Sequence, residues 1–248
     1  MSPERNGRFT SSEIFKLMLD GKVKGTFGVK ALTYIAEKNM ERRLGRSLDI
    51  ETGARPLSWG TLAEAFVFSK LGLEYKLCSN DTIVHPEIDD WAGSPDAETE
   101  DAIVDVKAPA TLKAFCELVD PLYQGMSGEQ AIAAIRENHE YGDKYYYQIL
   151  SNAILRKKRY GELIVFAPYQ SELQVLRELC QLMDGEGLKR FFWINNAADN
   201  ELPFLPDGGY YKNINVVRFE IPVADKIALH KRVVEAGKML ITPKLIPA

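Results

Sequence analysis

The chain has 248 residues, 46% of them hydrophobic, with a formal net charge of -4, which is enough for one large domain with elaborations and argues against a protein that is basic all over. No run approaches the roughly 20 apolar residues of a membrane span, and the start, MSPERNGRFTSSE, is too polar for a signal peptide, so a cytoplasmic protein is expected. Cys78, Cys116 and Cys180 are odd in number and far apart, which excludes a disulfide framework or thiolate metal site and reads as small buried apolar side chains.

Charge is unevenly divided. Residues 1–60 hold 11 Lys+Arg against 7 Asp+Glu, or +4, leaving 20 against 28, or -8, for the remainder. The basic end is either a surface for an anionic partner or an ordinary solvated helical face.

RFTSSEIFKLMLDG reads as a helix, with Ser11 or Ser12 as N-cap, an apolar face of Ile14, Phe15, Leu17 and Met18, and Gly21 as its stop. A second helical pattern runs through VKALTYIAEKNMERRLG. After the loop ETGARPLS comes the helical WGTLAEAFVFSKLGL, where Glu64 stands among Leu62, Ala65, Phe66 and Phe68. Strand-like runs follow near 75–84, 91–97 and 102–108, then mixed sequence, then a helix from about Gly142 to Arg159. ELIVFAP, residues 162–168, fits a strand buried on both faces. Next come a helix over about 170–183, a Gly/Pro-rich stretch from Asp184 to Asn213, the strand INVVRFEIP and a closing helix. The order α-β-β-β-α-β predicts an α/β fold with a mixed central sheet flanked by helices, and no repeat or domain boundary interrupts it.

An acid, any residue, then lysine occurs three times, and only Asp105-Val106-Lys107 lies inside an apolar run. Residues two apart on a strand point to one side, so Asp105 and Lys107 share a face. A hairpin joining 91–97 to 102–108 brings Asp96 near Asp105, and two carboxylates that close repel unless a cation sits between them. Hard divalent ions take such oxygen ligands, and the chemistry that follows is metal-assisted phosphodiester hydrolysis. The plainer alternative is a surface hairpin whose Asp-Lys pair is worth about 0–1 kcal/mol.

Pro95-Asp96, Asp105-Val106-Lys107 and the helical Glu64 resemble the PD-(D/E)XK nuclease superfamily. More closely, WGTLAEAF, the Ala-Gly-Ser-Pro-Asp turn, Asp-Val-Lys-Ala-Pro and YYYQILSNAILRKKRYGELIVFAPY resemble the phage lambda exonuclease and viral recombinase family, over roughly residues 58–170. The resemblance implies a restriction-endonuclease-like core at 58–170 of a single nuclease domain, with a helical elaboration at 1–57 and an extension at 171–248. It implies that Asp96, Asp105 and the Val106 carbonyl bind Mg²⁺, for which Mn²⁺ would substitute. Glu64 would assist directly or through water, Lys107 would position the attacking water, and Gln148 would orient Lys107 or a phosphate. Asp105 stands where Glu is commoner, one methylene shorter. Ser12, Arg156, Lys157, Lys158 and Arg159 are candidate DNA contacts, the last four equally suited to complementing a helix dipole.

The activity so implied is exonucleolytic resection of linear double-stranded DNA by a phage- or prophage-encoded homo-oligomer in the bacterial cytoplasm, with a single-strand annealing protein as a possible partner. A structure- or site-specific endonuclease and a non-catalytic DNA-binding protein are the alternatives. His85, His139 and His230 lack metal or triad spacing, and no phosphate-binding GxxxxGK[ST] loop occurs. Tyr145, Tyr146 and Tyr147 cannot share one helix face, so most of them are expected to pack rather than form a base-stacking platform. Phe191, Phe192, Trp193, Tyr210 and Tyr211 either cap the core, meet another subunit or touch DNA.

Overall fold

Two sheets organise the chain in the computed structural model, which describes residues 3–48, 54–78, 82–182 and 185–242. The larger is five-stranded, in the order β2 (Lys76–Leu77), β5 (Ala97–Glu98), β6 (Ala102–Lys107), β7 (Tyr160–Phe166), β8 (Ile214–Glu220). β6 and β7 run parallel in register from Ala102↔Tyr160 to Lys107↔Val165, and the other pairs are antiparallel. The smaller sheet joins β1 (Phe9–Thr10), β4 (Trp91–Gly93) and β3 (Ile83–Val84), with β1 and β4 parallel.

Eight α-helices are described: α1 (Val29–Leu44), α2 (Arg55–Phe68), α3 (Leu112–Tyr123), α4 (Gly128–Asn138), α5 (Gly142–Arg156), α6 (Leu173–Leu182), α7 (Gly185–Asn196) and α8 (Val223–Gly237). One face of the main sheet presents Ile103, Leu163, Val165, Val217 and Phe219 to α3, α4, α5 and α8, with Phe115, Leu118, Ile149 and Leu150 filling the layer. The opposite face presents Val104, Val106, Ile164 and Phe166 to α2, α6 and α7, through Trp59, Leu62, Phe66 and Leu176. Burial on both faces explains why β6 and β7 read as continuous apolar runs. β8 alternates buried and exposed residues, as an edge strand covered on one face does.

The mixed α/β architecture matches the sequence-based expectation, with α2, β2, β5, β6, α5 and β7 in the order α-β-β-β-α-β. Local departures have local causes. Residues 8–21 are not an α-helix: Phe9–Thr10 pairs with Trp91–Ala92, and only Ile14–Met18 coils, as a 3₁₀ helix. Ser11 caps nothing, because its hydroxyl is tied 2.7 Å from the Ser151 hydroxyl on α5. The run 91–97 divides between the two sheets at Ser94-Pro95, where proline has no N–H for a ladder. The run 75–84 likewise splits into β2 and β3, with residues 79–81 outside the described residues. α2 starts inside the expected loop, at Arg55.

Two helices occupy what reads as mixed sequence. Thr111 accepts the Ala114 N–H to start α3, and Ser127 and Gln130 form a reciprocal capping box on α4. A third, α7, lies in the Gly/Pro-rich stretch. The N-terminal segment is clamped from the far end of the chain: buried Arg232 on α8 donates to the carbonyls of Leu17, Gly25 and Thr26 and pairs with Asp20 at 3.3 Å. Among the described residues no helix is long and apolar enough to cross a membrane.

Candidate active site

Asp105 is fully buried in β6, and two neighbours hold it. Gln148 Nε2 on α5 donates to Oδ1 at 2.7 Å, and Lys107 Nζ lies 2.6 Å from Oδ2. Gln148 is at this position because α5 packs along β6, turning one helix face onto the strand side that carries Asp105 and Lys107. Asp96 comes from the other direction. The register Ala97↔Val104 places it across from Asp105, and its Oδ2 accepts the Val106 N–H at 2.7 Å. The N–H and C=O of one strand residue point to the same edge, so the Val106 carbonyl turns toward Asp96 as well.

Glu64 reaches the same place from α2, on the other side of the sheet. A cavity of about 240 Å³ is lined by Glu64 and Asp96 together with Arg5, Ser11, Ser12, Ser94, Pro95 and Gln148. Gly93 admits this crowding, since a Cβ there would collide with the Ser11 hydroxyl and the Asn152 amide.

The electrostatics are strained. Burial, then the charges of Asp96 and Asp105, push the Glu64 carboxyl up to about 8, with Lys107 opposing. Burial also pushes Asp105 up to about 7; Lys107 opposes and Asp96 adds to the shift. Burial by itself would lower Lys107, yet the charges of Asp105 and Asp96 outweigh it and hold the ammonium above the ordinary lysine range. Lys107 is therefore a cation and donor here, not a base. The Tyr145 ring lies 5.3 Å from its Nζ, and burial raises the phenol, opposed by Lys107.

The donor set suits a hard divalent cation. Among the described residues no three His, Cys, Asp or Glu side chains close around one point. Mg²⁺ needs only one or two carboxylates when water and phosphate complete its shell. The decisive feature is the crowding of acids: Asp105 is fully buried, with Asp96 across from it in the hairpin and one ammonium 2.6 Å from its Oδ2, an excess of carboxylate that a cation would offset. Asp96, Asp105 and the Val106 carbonyl fit such an ion, with Glu64 beside them.

No family model matches the sequence, and no curated protein matches it. Solved structures do. The alkaline exonuclease LHK-Exo from Laribacter hongkongensis superposes with a TM-score of 0.55 at 14% identity, covering 95% of this chain and 89% of that one. The same enzyme in complex with dAMP gives 0.55 at 15% identity, over 96% and 90%. A phage-related exonuclease from Haemophilus somnus 129PT gives 0.55 at 14%, over 94% and 92%. The chain has their fold.

The structure thus brings together Glu64, Asp96, Asp105, Val106, Lys107, Gln148 and Ser12. It places Arg156, Lys158 and Arg159 elsewhere, at the start of β6, five residues or roughly 16 Å from Lys107. There Arg156 and Lys158 face Glu98 at 3.8 and 3.7 Å, Arg159 pairs with Glu220 at 2.9 Å, and Lys157 is exposed. Of the tyrosines, Tyr146 packs on Phe219, whereas Tyr145 belongs to the site. Arg5 and Tyr145 have no site role in the sequence-based expectation, where Ser94 enters only within the Ser-Pro-Asp turn; the basic excess of residues 1–60 is the one signal pointing toward Arg5. His85 and His139 serve turns, their Nδ1 atoms accepting backbone N–H groups at 3.1–3.2 Å and 3.1 Å.

Proposed function

We propose that the protein is a metal-dependent deoxyribonuclease that hydrolyses phosphodiester bonds, degrading linear duplex DNA from its ends. The observation that carries this reading is the buried Asp105, set between Lys107, Gln148 and Asp96 at one end of the sheet, where one ammonium stands among more carboxylates than it balances. The shared fold with the exonuclease structures supports it.

When bound, Mg²⁺ supplies an acidified water and neutralises charge on the scissile phosphate. Asp96, Asp105 and the Val106 carbonyl would hold it, and Glu64, once deprotonated, would hold its waters. Lys107, kept protonated, donates to the attacking water and opposes charge growing on the phosphate. Gln148 fixes the orientation of Asp105 by its 2.7 Å hydrogen bond to Oδ1. Arg5 donates to Ser12 Oγ at 3.2 Å and keeps a buried Nε without a partner. A phosphate oxygen in the cavity beside Ser12 would satisfy it, on the same cavity that Glu64 and Asp96 line.

The test is digestion of an end-labelled linear duplex and a closed circular duplex, with Mg²⁺, with chelator, and with Asp105→Ala. Loss of the linear duplex alone, dependent on metal and on Asp105, is expected. Cutting of the circle would replace the exonuclease by an endonuclease. DNA retention without turnover would leave a DNA-binding protein.

A further inference from the structure

We propose that the groove between α5 and α8 binds an acidic peptide segment of a partner protein, anchored by one apolar side chain. This surface is independent of the nuclease reading. The groove encloses about 560 Å³ and is lined by Ala153, Ile154 and Lys157 of the α5 end and by Lys226, Ile227, His230 and Lys231 of α8.

Its chemistry is one-sided. Three lysines and a histidine line it and no carboxylate does, in a chain whose net charge is -4. Between these cations the floor is apolar: Ala153 is buried, Ile154 half-buried, and Ile227 is left 65% exposed. An amphipathic surface helix normally turns isoleucine inward, so Ile227 on the open side of α8 is an apolar contact without an intramolecular partner of its own size. One lysine is held in place, and Lys231 is exposed with a loose 4.0 Å pairing to Glu235. Lys226 Nζ donates to the Lys158 carbonyl at 2.8 Å, fastening the two walls together. Lys157 has φ 57°, the only left-handed non-glycine residue among the described ones. It ends α5 where glycine or asparagine fits that backbone far more easily, so the chain carries a lysine at the lip of the groove against its local conformational preference.

These features select a peptide over a nucleic acid. A duplex backbone presents phosphates in a line and has no apolar side chain to set against Ile154 and Ile227, whereas acidic residues flanking a leucine match both components. The groove also faces away from the carboxylates. Ala153 and Ile154 follow Gln148 by five and six positions, roughly 140° and 240° around the helix, so an occupied groove leaves the candidate active site open.

The test uses the full-length protein and a fluorescent peptide, Asp-Asp-Leu-Asp-Asp-Leu, followed by anisotropy at low salt. Saturable binding is expected, at least tenfold weaker for Ile227→Asp and for Lys231→Glu, and at least tenfold weaker for peptides with Asn for Asp or Ser for Leu. Both substituted residues are exposed, and thermal melting of each variant checks the fold; should Ile227→Asp unfold, Lys231→Glu decides. Retention of linear DNA by the variants should equal that of the unsubstituted protein. Absent binding, equal binding by both variants, or equal binding of all three peptides would overturn the proposal. So would loss of DNA retention in the variants, which would make the groove a DNA contact. A change in sedimentation from oligomer to monomer would make it a contact between copies, and would overturn it too.

Discussion

The two ends of strand β6 treat charge in opposite ways. At its start, Glu98, Asp101, Glu162 and Glu220 meet Arg156, Lys158, Arg159 and Arg218, four carboxylates with four cations. There the Arg218 hydrogen bond lowers the Asp101 carboxyl. At its far end Glu64, Asp96 and Asp105 have Lys107 among them, and two of the three carboxyls are pushed up to about 8 and 7. The same strand thus ends once in a neutral brace and once in an excess of negative charge. A fold gains nothing in stability from the second arrangement; under the proposed function a divalent cation and a phosphate would complete it.

The sharpest way to break this contrast is to remove charge at each end in turn. Asp105→Asn and Lys107→Ala should each reduce Mg²⁺-dependent digestion by roughly 10²–10⁴-fold, while thermal melting shows that the fold persists. Glu162→Gln should do the reverse. It should leave digestion within about threefold and lower stability by about 1–3 kcal/mol, read from urea unfolding, because buried Glu162 loses its charge-assisted bond from Arg218. Equal turnover in the unsubstituted and Lys107→Ala proteins would remove Lys107 from the mechanism.

The second prediction uses pH. Carboxyls raised in the folded state bind protons that the unfolded chain has released, so stability falls as pH climbs from the unfolded values near 4 through about 7 and 8. With chelator, the melting temperature should therefore drop between pH 5 and 8. Adding Mg²⁺ should oppose the drop most strongly at the alkaline end, because ligands must lose their protons to bind it. A melting curve independent of pH would show that the charge excess is not felt.

Packing behind the neutral end sets the third test. Gly128, first residue of α4, lies so close to β8 that a Cβ would collide with the Arg218 carbonyl. Gly128→Ala should cost about 1–3 kcal/mol by forcing helix and strand apart, with digestion below the melting range unaffected. The smallest effect belongs to Lys158→Ala, which removes a loose 3.7 Å ion pair with Glu98 and hydrogen bonds to the Thr99 and Glu100 carbonyls at 2.7 and 3.1 Å. About 1–2 kcal/mol is expected, with no change in the salt dependence of DNA binding. A shallower salt slope would make the braced end a phosphate contact.

Asp96, Asp105 and Lys107 are legible in sequence because strand periodicity and hairpin register are short-range facts: once Asp105 sits in an apolar strand, the position of Lys107 follows. Glu64 stands out only against its surroundings, as one carboxylate on an apolar helix, whereas Gln148 shares its helix with a second amide, Asn152, and is singled out by the resemblance alone. Arg5 is illegible, since nothing local indicates that Phe9–Thr10 will pair with Trp91–Ala92, some 80 positions away. The missed helices failed for another reason. Pro121 inside α3 and glycine at the first positions of α4 and α7 are local signals for a break, overridden by the packing of Phe115, Leu118 and Ile135 on the sheet.

The Arg232 clamp on residues 17–26 has a consequence for synthesis. Arg5 and Ser12 enter the cavity on a segment that emerges first from the ribosome, but the side chain that anchors its continuation emerges near the end, over 200 residues later. The carboxylates, the lysine and the glutamine are all translated in between. A half-made chain holds the partners for pairing β1 with β4 and β5 with β6, but it lacks Gln148 of the cavity lining and the Arg232 contacts to residues 17–26, so the continuation of the N-terminal segment is anchored only when translation is almost finished.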